Sequence, residues 1–203
     1  MKSLIALICR HGETKLNANN QFRSWLDVHL DPVGEKQADD TADILINYPI
    51  TEIYASPLYR TVYTANQFSK KVQIPIQQHR GLFPWNLGVL AGTDKDQNKK
   101  LLNMFIENPS VKVPNGESLE DFENRCASFY NDCLLHPEGR KSLKAIFCHT
   151  SNIIVLDNIL QGVRSHPESV ELVKPGGICA VYRTNDWFSI EPIFRAATDK
   201  EDF

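Results

Sequence analysis

Basic clusters, long apolar runs and paired cysteine motifs are all missing from this 203-residue chain. Lysine plus arginine number 22 against 25 acidic residues, a formal charge of −3, and the cations form no run longer than a pair. Polyanion binding is driven by counterion release at a strongly basic surface, so a nucleic-acid partner is not expected. The apolar stretch 4–9 stops at Arg10. It is too short for a secretory core of about 7–15 residues and far too short for a membrane span of about 20, and no export or anchoring signal follows. Five cysteines without CxxC spacing, and no histidine pair at metal-ligand intervals, argue against a metal site and a disulfide framework. Cys9, Cys148 and Cys179 lie within apolar runs, where a reduced thiol behaves as a small hydrophobe. A cytoplasmic location is the expectation. Only 10 glycines and 11 prolines, with 42% hydrophobic residues, exclude low-complexity and collagen-like chains.

What is present reads as one α/β domain covering 1–203, long enough to bury a core. The continuous apolar segment 4–9 predicts a strand buried on both faces. Asp31-Pro32 opens a helix over 34–48 that Pro49 stops. A second strand over 51–55 is followed by Ser56-Pro57, which predicts a helix from there through Lys70. Residues 72–77 form a candidate edge strand, because Pro75 removes a ladder donor. Residues 79–117 read as a long excursion with a helix over 99–107 and a substrate-selecting role. Ser118 caps a helix to Leu135, with Gly139 beyond its end. A buried strand over 144–148 leads into a helix over 153–160. Strands over 178–182 and 188–193, joined by a turn at Asn185-Asp186, predict a hairpin at one sheet edge.

Arg10, His11 and Gly12 follow the first strand directly, and His149 follows a later one. Open α/β sheets bind ligands at these strand ends, so the two histidines are expected to converge there. Arg10, and Arg60 in the helix after Ser56-Pro57, supply charge complementary to a phosphate. Thr150 begins a helix whose free N–H groups add to an anion site.

Ordered motifs then carry a resemblance over nearly the whole chain. Arg10-His11-Gly12-Glu13-Thr14 with Asn17, the stretch Asn20 to Asp27 with Leu30, Pro32 and Gly34, Ser56-Pro57-Leu58 with Arg60-Thr61, Asn115-Gly116-Glu117-Ser118 with Arg125, and Phe147-Cys148-His149 resemble the histidine phosphatase superfamily, specifically its phosphoglycerate mutase-like branch. The resemblance implies a three-layer αβα sandwich with a mostly parallel central sheet flanked by helices. It implies no cofactor and no metal, with His11 as the phosphorus-attacking nucleophile. Arg10, Arg60 and His149 are then expected around the equatorial oxygens, with Asn17 donating to the same phosphate.

Departures from the family pattern bear on activity. Pro84 stands where this branch places a glutamate that protonates the leaving oxygen, and Asn86 hydrogen-bonds but cannot supply that proton. Glu117, Asp27 and His79 are candidate substitutes. Arg23-Ser24 replaces a small-residue pair, so Arg23 either enters the pocket or takes over from an arginine that the pattern has at position 21. Lys112 is the one basic residue near Gly116. Thr150 after His149 disfavours the acid-phosphatase branch. The resemblance therefore implies a phosphomonoesterase for a small phosphorylated metabolite, weakened by the missing acid, acting as a monomer or homodimer without membrane or nucleic-acid partners. The alternatives are a catalytically impaired phospho-ligand-binding protein and a phosphoglycerate mutase.

Overall fold

The computed structural model describes residues 2–135, 142–162, 173–184 and 187–196. Six strands, β1 (Ser3–Arg10), β2 (Ile50–Ala55), β3 (Ile76–Gln78), β4 (Leu143–Cys148), β5 (Ile178–Arg183) and β6 (Phe188–Phe194), form one sheet ordered β3-β2-β4-β1-β5-β6. The pairs from β3 to β1 are parallel and the last two antiparallel, so β5 alone runs against the rest.

The period-2 alternation of strand side chains divides the core between two faces. Leu7 and Cys9 of β1 join Ala145 and Phe147 of β4 beneath α2 (Pro32–Leu45) and α3 (Tyr59–Val72), which contribute Ala42, Leu45, Ala65 and Phe68. Ile8 and Ile146 face α5 (Leu119–Tyr130) and α6 (Thr150–Gln161), which contribute Phe122, Phe129, Ile153 and Leu156. The result is the expected three-layer α/β sandwich. Its central strands carry continuous apolar stretches, 4–9 in β1 and 145–148 in β4, because both faces are covered. Among the described residues no helix is long and apolar enough to cross a membrane.

Several element boundaries differ from the sequence reading. α3 begins at Tyr59, not at Ser56-Pro57, because its first free donor, the Tyr59 N–H, is capped by Asp27 Oδ1 at 2.7 Å from another segment. In the excursion the helix α4 (Lys95–Glu107) starts four residues early, since Asp94 Oδ1 accepts from Gln97 N at 2.9 Å. β3 is confined to the residues after Pro75 and lies at the sheet edge. α5 is regular only to Tyr130, with Asn131–Leu135 in a wider turn. The β5–β6 hairpin forms as expected, while Gly139 and the turn at 185–186 lie outside the described residues.

Candidate active site

Three parallel strands, β1, β2 and β4, end on one side of the sheet, delivering His11, Ser56 and His149 to the same crevice. The His11 ring is almost wholly buried and its Nδ1 lies 2.6 Å from the carbonyl oxygen of Gly12. A carbonyl only accepts, so Nδ1 carries the proton and donates. Burial, then the charges of Arg60, Arg10 and Arg23, holds the His11 pKa well below the usual histidine range. The neutral ring therefore keeps its Nε2 lone pair bare. His149 meets it at a centroid distance of 5.1 Å and an interplanar angle of 60°. Burial, and next Arg60, keeps His149 neutral as well. Its Nε2 is 3.0 Å from Ser56 Oγ. Ser56, read as a helix cap, instead orients this ring.

Close backbone approach fixes the loop after His11. A Cβ on Gly12 would stand 2.2 Å from the Gly34 carbonyl oxygen, and one on Gly34 only 2.0 Å from that of Glu13. Both positions must be glycine for the loop to dock on the start of α2. Gln37 Oε1 accepts from Glu13 N at 2.8 Å, and Thr64 Oγ1 accepts from Gly12 N at 3.2 Å.

Arg10, Arg23, Arg60, His149 and Thr150 share the wall of one cavity of about 320 Å³. Arg60 donates from Nη1 to Leu26 O at 2.7 Å and from Nη2 to Ser24 O at 2.8 Å; Arg10 Nη1 donates to Val173 O at 2.7 Å. These bonds aim the guanidinium groups without satisfying them. Arg10 Nε, Arg60 Nε, His149 Nδ1 and Thr150 Oγ1 are buried without a partner among the described residues, and all four belong to this wall. An unpaired buried polar atom costs about 1–3 kcal/mol, so such atoms gathered in one place mark a site built for an anionic ligand. Desolvation, reinforced by Arg23, lowers Arg10 and Arg60 to about 9, and desolvation lowers Arg23 to about 10.

Lys95 belongs to the same wall and was not singled out in the sequence. Burial, then Arg23 and Arg10, brings its pKa down to about 8. The signal available was Asp94, a capping residue that places Lys95 in the first turn of α4.

His11 itself is not among the residues that line this cavity and adjoins it through His149, whose ring centroid is 5.1 Å away; other expected residues stay out of it as well. Asn17 spends its carbonyl on Thr14 N at 3.2 Å and Thr14 Oγ1 at 2.8 Å, capping the short helix α1 (Lys15–Ala18). Asn86 is not on the wall, because its Oδ1 accepts from Gly88 N at 3.2 Å within its own turn. None of the substitute acids reaches the wall either. Glu117 is held in a two-pronged pair with Arg125, at 2.6 Å to Nη2 and 3.0 Å to Nε, and accepts from Asn86 N. Asp27 caps α3, and His79 Nδ1 accepts from Gly81 N at 3.0 Å while its ring packs on Phe129. Lys112 pairs with Asp121 at the surface. Pro84 itself lines the cavity, held by its carbonyl to Arg125 Nη2 at 2.8 Å, and no aspartate or glutamate among the described residues lines that wall.

Residues 6–193 match the sequence profile of the histidine phosphatase superfamily (branch 1). The chain belongs to that superfamily. It is 28% identical over 204 residues to the probable phosphoglycerate mutase GpmB of Yersinia enterocolitica, covering 97% of this chain and 93% of the relative. The fold matches a mycobacterial glucosyl-3-phosphoglycerate phosphatase with a TM-score of 0.79 at 18% identity, over 96% of this chain and all of the other. A phosphoglycerate mutase from Thermus thermophilus aligns with a TM-score of 0.68 at 26% identity, covering 98% of this chain and 100% of that one. In this chain Arg10, His11 and His149 stand at the ends of β1 and β4, Arg60 in the first turn of α3, and Pro84 on the cavity wall.

Proposed function

We propose that the protein is a phosphomonoesterase acting through a phosphohistidine. The observation that carries this reading is the neutral His11, with Nε2 bare, beside partnerless guanidinium N–H groups of Arg10 and Arg60. His11 Nε2 forms a bond to phosphorus as the bond to the ester oxygen breaks, and water then displaces the phosphoryl group from nitrogen, regenerating neutral His11 and releasing phosphate. Arg10, Arg60 and His149 hold the three equatorial oxygens through both steps. His149 suits this role when Ser56 donates to its Nε2, which puts the imidazole proton on Nδ1, a buried atom left without a protein partner among the described residues.

With Pro84 in the wall and no carboxylate beside it, the leaving oxygen departs unprotonated or draws its proton from water. General acid catalysis contributes about 10²–10⁴-fold, and esters with acidic alcohols need it least. p-Nitrophenyl phosphate is therefore expected to be hydrolysed at least a hundredfold faster than an alkyl phosphate, a margin of about the lower end of that range. His11→Ala should remove all turnover, and Pro84→Glu should narrow the margin by accelerating the alkyl ester. Hydrolysis that survives His11→Ala would overturn the reading.

The names of the relatives favour a second reading, phosphoglycerate mutase. A coupled assay with 3-phosphoglycerate decides between them: interconversion at rates above ester hydrolysis would replace the phosphatase reading. Tight binding of vanadate with no turnover of any ester would instead favour a phospho-ligand-binding protein.

A further inference from the structure

The cavity wall changes character along its length. α4 contributes Lys95, Leu102 and Ile106 to it, seven and eleven residues apart from the first, spacings that keep them on one helix face. At about 1.5 Å per residue the two apolar side chains lie about 10 and 16 Å along the axis from the lysine. Lys95 shares the wall with Arg10 and Arg23, whose charges outweigh that of neighbouring Asp96 on it, and so stands at the cationic end. α6 repeats the gradient: Thr150 faces the cavity from its first turn and Ile154 from one turn further on. Phe22 and Trp85 join the apolar portion. The indole N–H of Trp85 is already spent on Glu117 O at 3.2 Å, and the Ser24 hydroxyl on Trp85 O and Leu87 N, so neither offers a free polar group to a bound molecule.

We infer that the substrate is the phosphate monoester of an apolar alcohol, alkyl or aryl, whose hydrocarbon lies along Leu102, Ile106, Ile154, Phe22 and Trp85 while its phosphate occupies the arginine end. The inference rests on the phosphatase reading for the reaction but on the wall alone for the ligand. Along Leu102, Ile106, Ile154, Phe22 and Trp85 a sugar phosphate would leave its hydroxyls without hydrogen-bond partners, Ser151 at the start of α6 being the further hydroxyl on the wall, and this costs affinity. A cavity of about 320 Å³ holds more than a phosphate; a dry pocket of about 150 Å³ encloses benzene.

Two matched series test this. Binding of ethyl-, butyl-, hexyl- and dodecylphosphonate, which cannot be hydrolysed at phosphorus, is measured by calorimetry, and hydrolysis of the corresponding alkyl phosphates by phosphate release. Leaving-group acidity is nearly constant across the series, so chain length reports the wall. Affinity and kcat/KM are expected to rise by about fourfold per added methylene, the equivalent of about 0.8 kcal/mol, up to hexyl. The gain should then level off at dodecyl as the chain outgrows the cavity. Leu102→Ser and Ile106→Asn should each shrink the hexyl-to-ethyl ratio several-fold. A flat phosphonate series, or tighter binding of glycerol phosphate than of hexylphosphonate, overturns the inference even if alkyl phosphates are hydrolysed. A rising phosphonate series without hydrolysis upholds it and overturns the phosphatase reading.

Discussion

Lys95 and the two histidines give this site its pH behaviour. A phosphate monoester has its second pKa near 6, so above neutrality the substrate is fully dianionic and only the protein titrates. Lys95, lowered to about 8, loses its charge as pH rises through that value in the free enzyme. kcat/KM should therefore begin to fall near pH 8, and Lys95→Met should lower it at pH 7 and remove that first decline, leaving the one that Arg10 and Arg60 bring near pH 9. The histidines act at the other limb. Both are neutral in the folded protein with pKa held below the ordinary 6.5, so below about pH 6.5 the unfolded chain takes up protons that the native site refuses. Stability is complete above that pH and is lost as pH falls, with a limiting slope of about 2.7 kcal/mol per pH unit for two protons. Urea midpoints at pH 7 and 5 measure it, and His149→Asn should reduce the difference by about half, leaving the part that belongs to His11. Arg10, His11, Arg60 and His149 were legible in the sequence because each sits at a strand end or in the helix turn beside one. Lys95 was not, because nothing in a chain of residues shows that a helix in the excursion folds back over the strand ends.

At the scale of elements, boundaries are set by partners remote in sequence. Apolar runs and periodicity located every strand and longer helix among the described residues, yet Ser56-Pro57 looked like a cap while the carboxylate that caps α3 comes from Asp27. Asp27→Ala should cost about 1 kcal/mol, as loss of a helix cap does. The effect should reach activity as well, since Arg60 in the same first turn is bonded to Leu26 and Ser24 of the Asp27 segment. Parallel losses in the denaturation midpoint and in kcat/KM would show the coupling. The Gly12–Gly34 contact admits no such compromise. Gly34→Ala drives a methyl into the Glu13 carbonyl, a backbone atom that cannot swing aside, and should destabilise by at least the roughly 1–3 kcal/mol typical of overpacking. Likewise the fate of Asn86 and Glu117 followed from turns and a strut, the Arg125 pair, that no local pattern reveals.

Across the whole molecule, the central strand β1 draws the two ends of the described chain together. Arg10 N donates to Gly177 O at 3.0 Å, Gly176 N to His11 O at 3.1 Å, and Arg10 Nη1 to Val173 O at 2.7 Å. The α/β class and the final hairpin could be read from apolar runs, whereas the insertion of β5 beside β1 could not, because strand order is decided by which edges remain open. Ligand binding should stabilise the assembled fold as a unit: orthovanadate at about a hundred times its Kd is expected to add about 2.7 kcal/mol to unfolding, read as a rise in Tm that His11→Ala diminishes. The bond from Arg10 to Val173 also sets a clock on biosynthesis. A ribosome adding about 5–20 residues per second exposes the His11 loop many seconds before the carbonyl that aims Arg10. On the phosphatase reading, the nascent chain should not turn over phosphate esters until that late segment has emerged and its Val173 carbonyl accepts from Arg10.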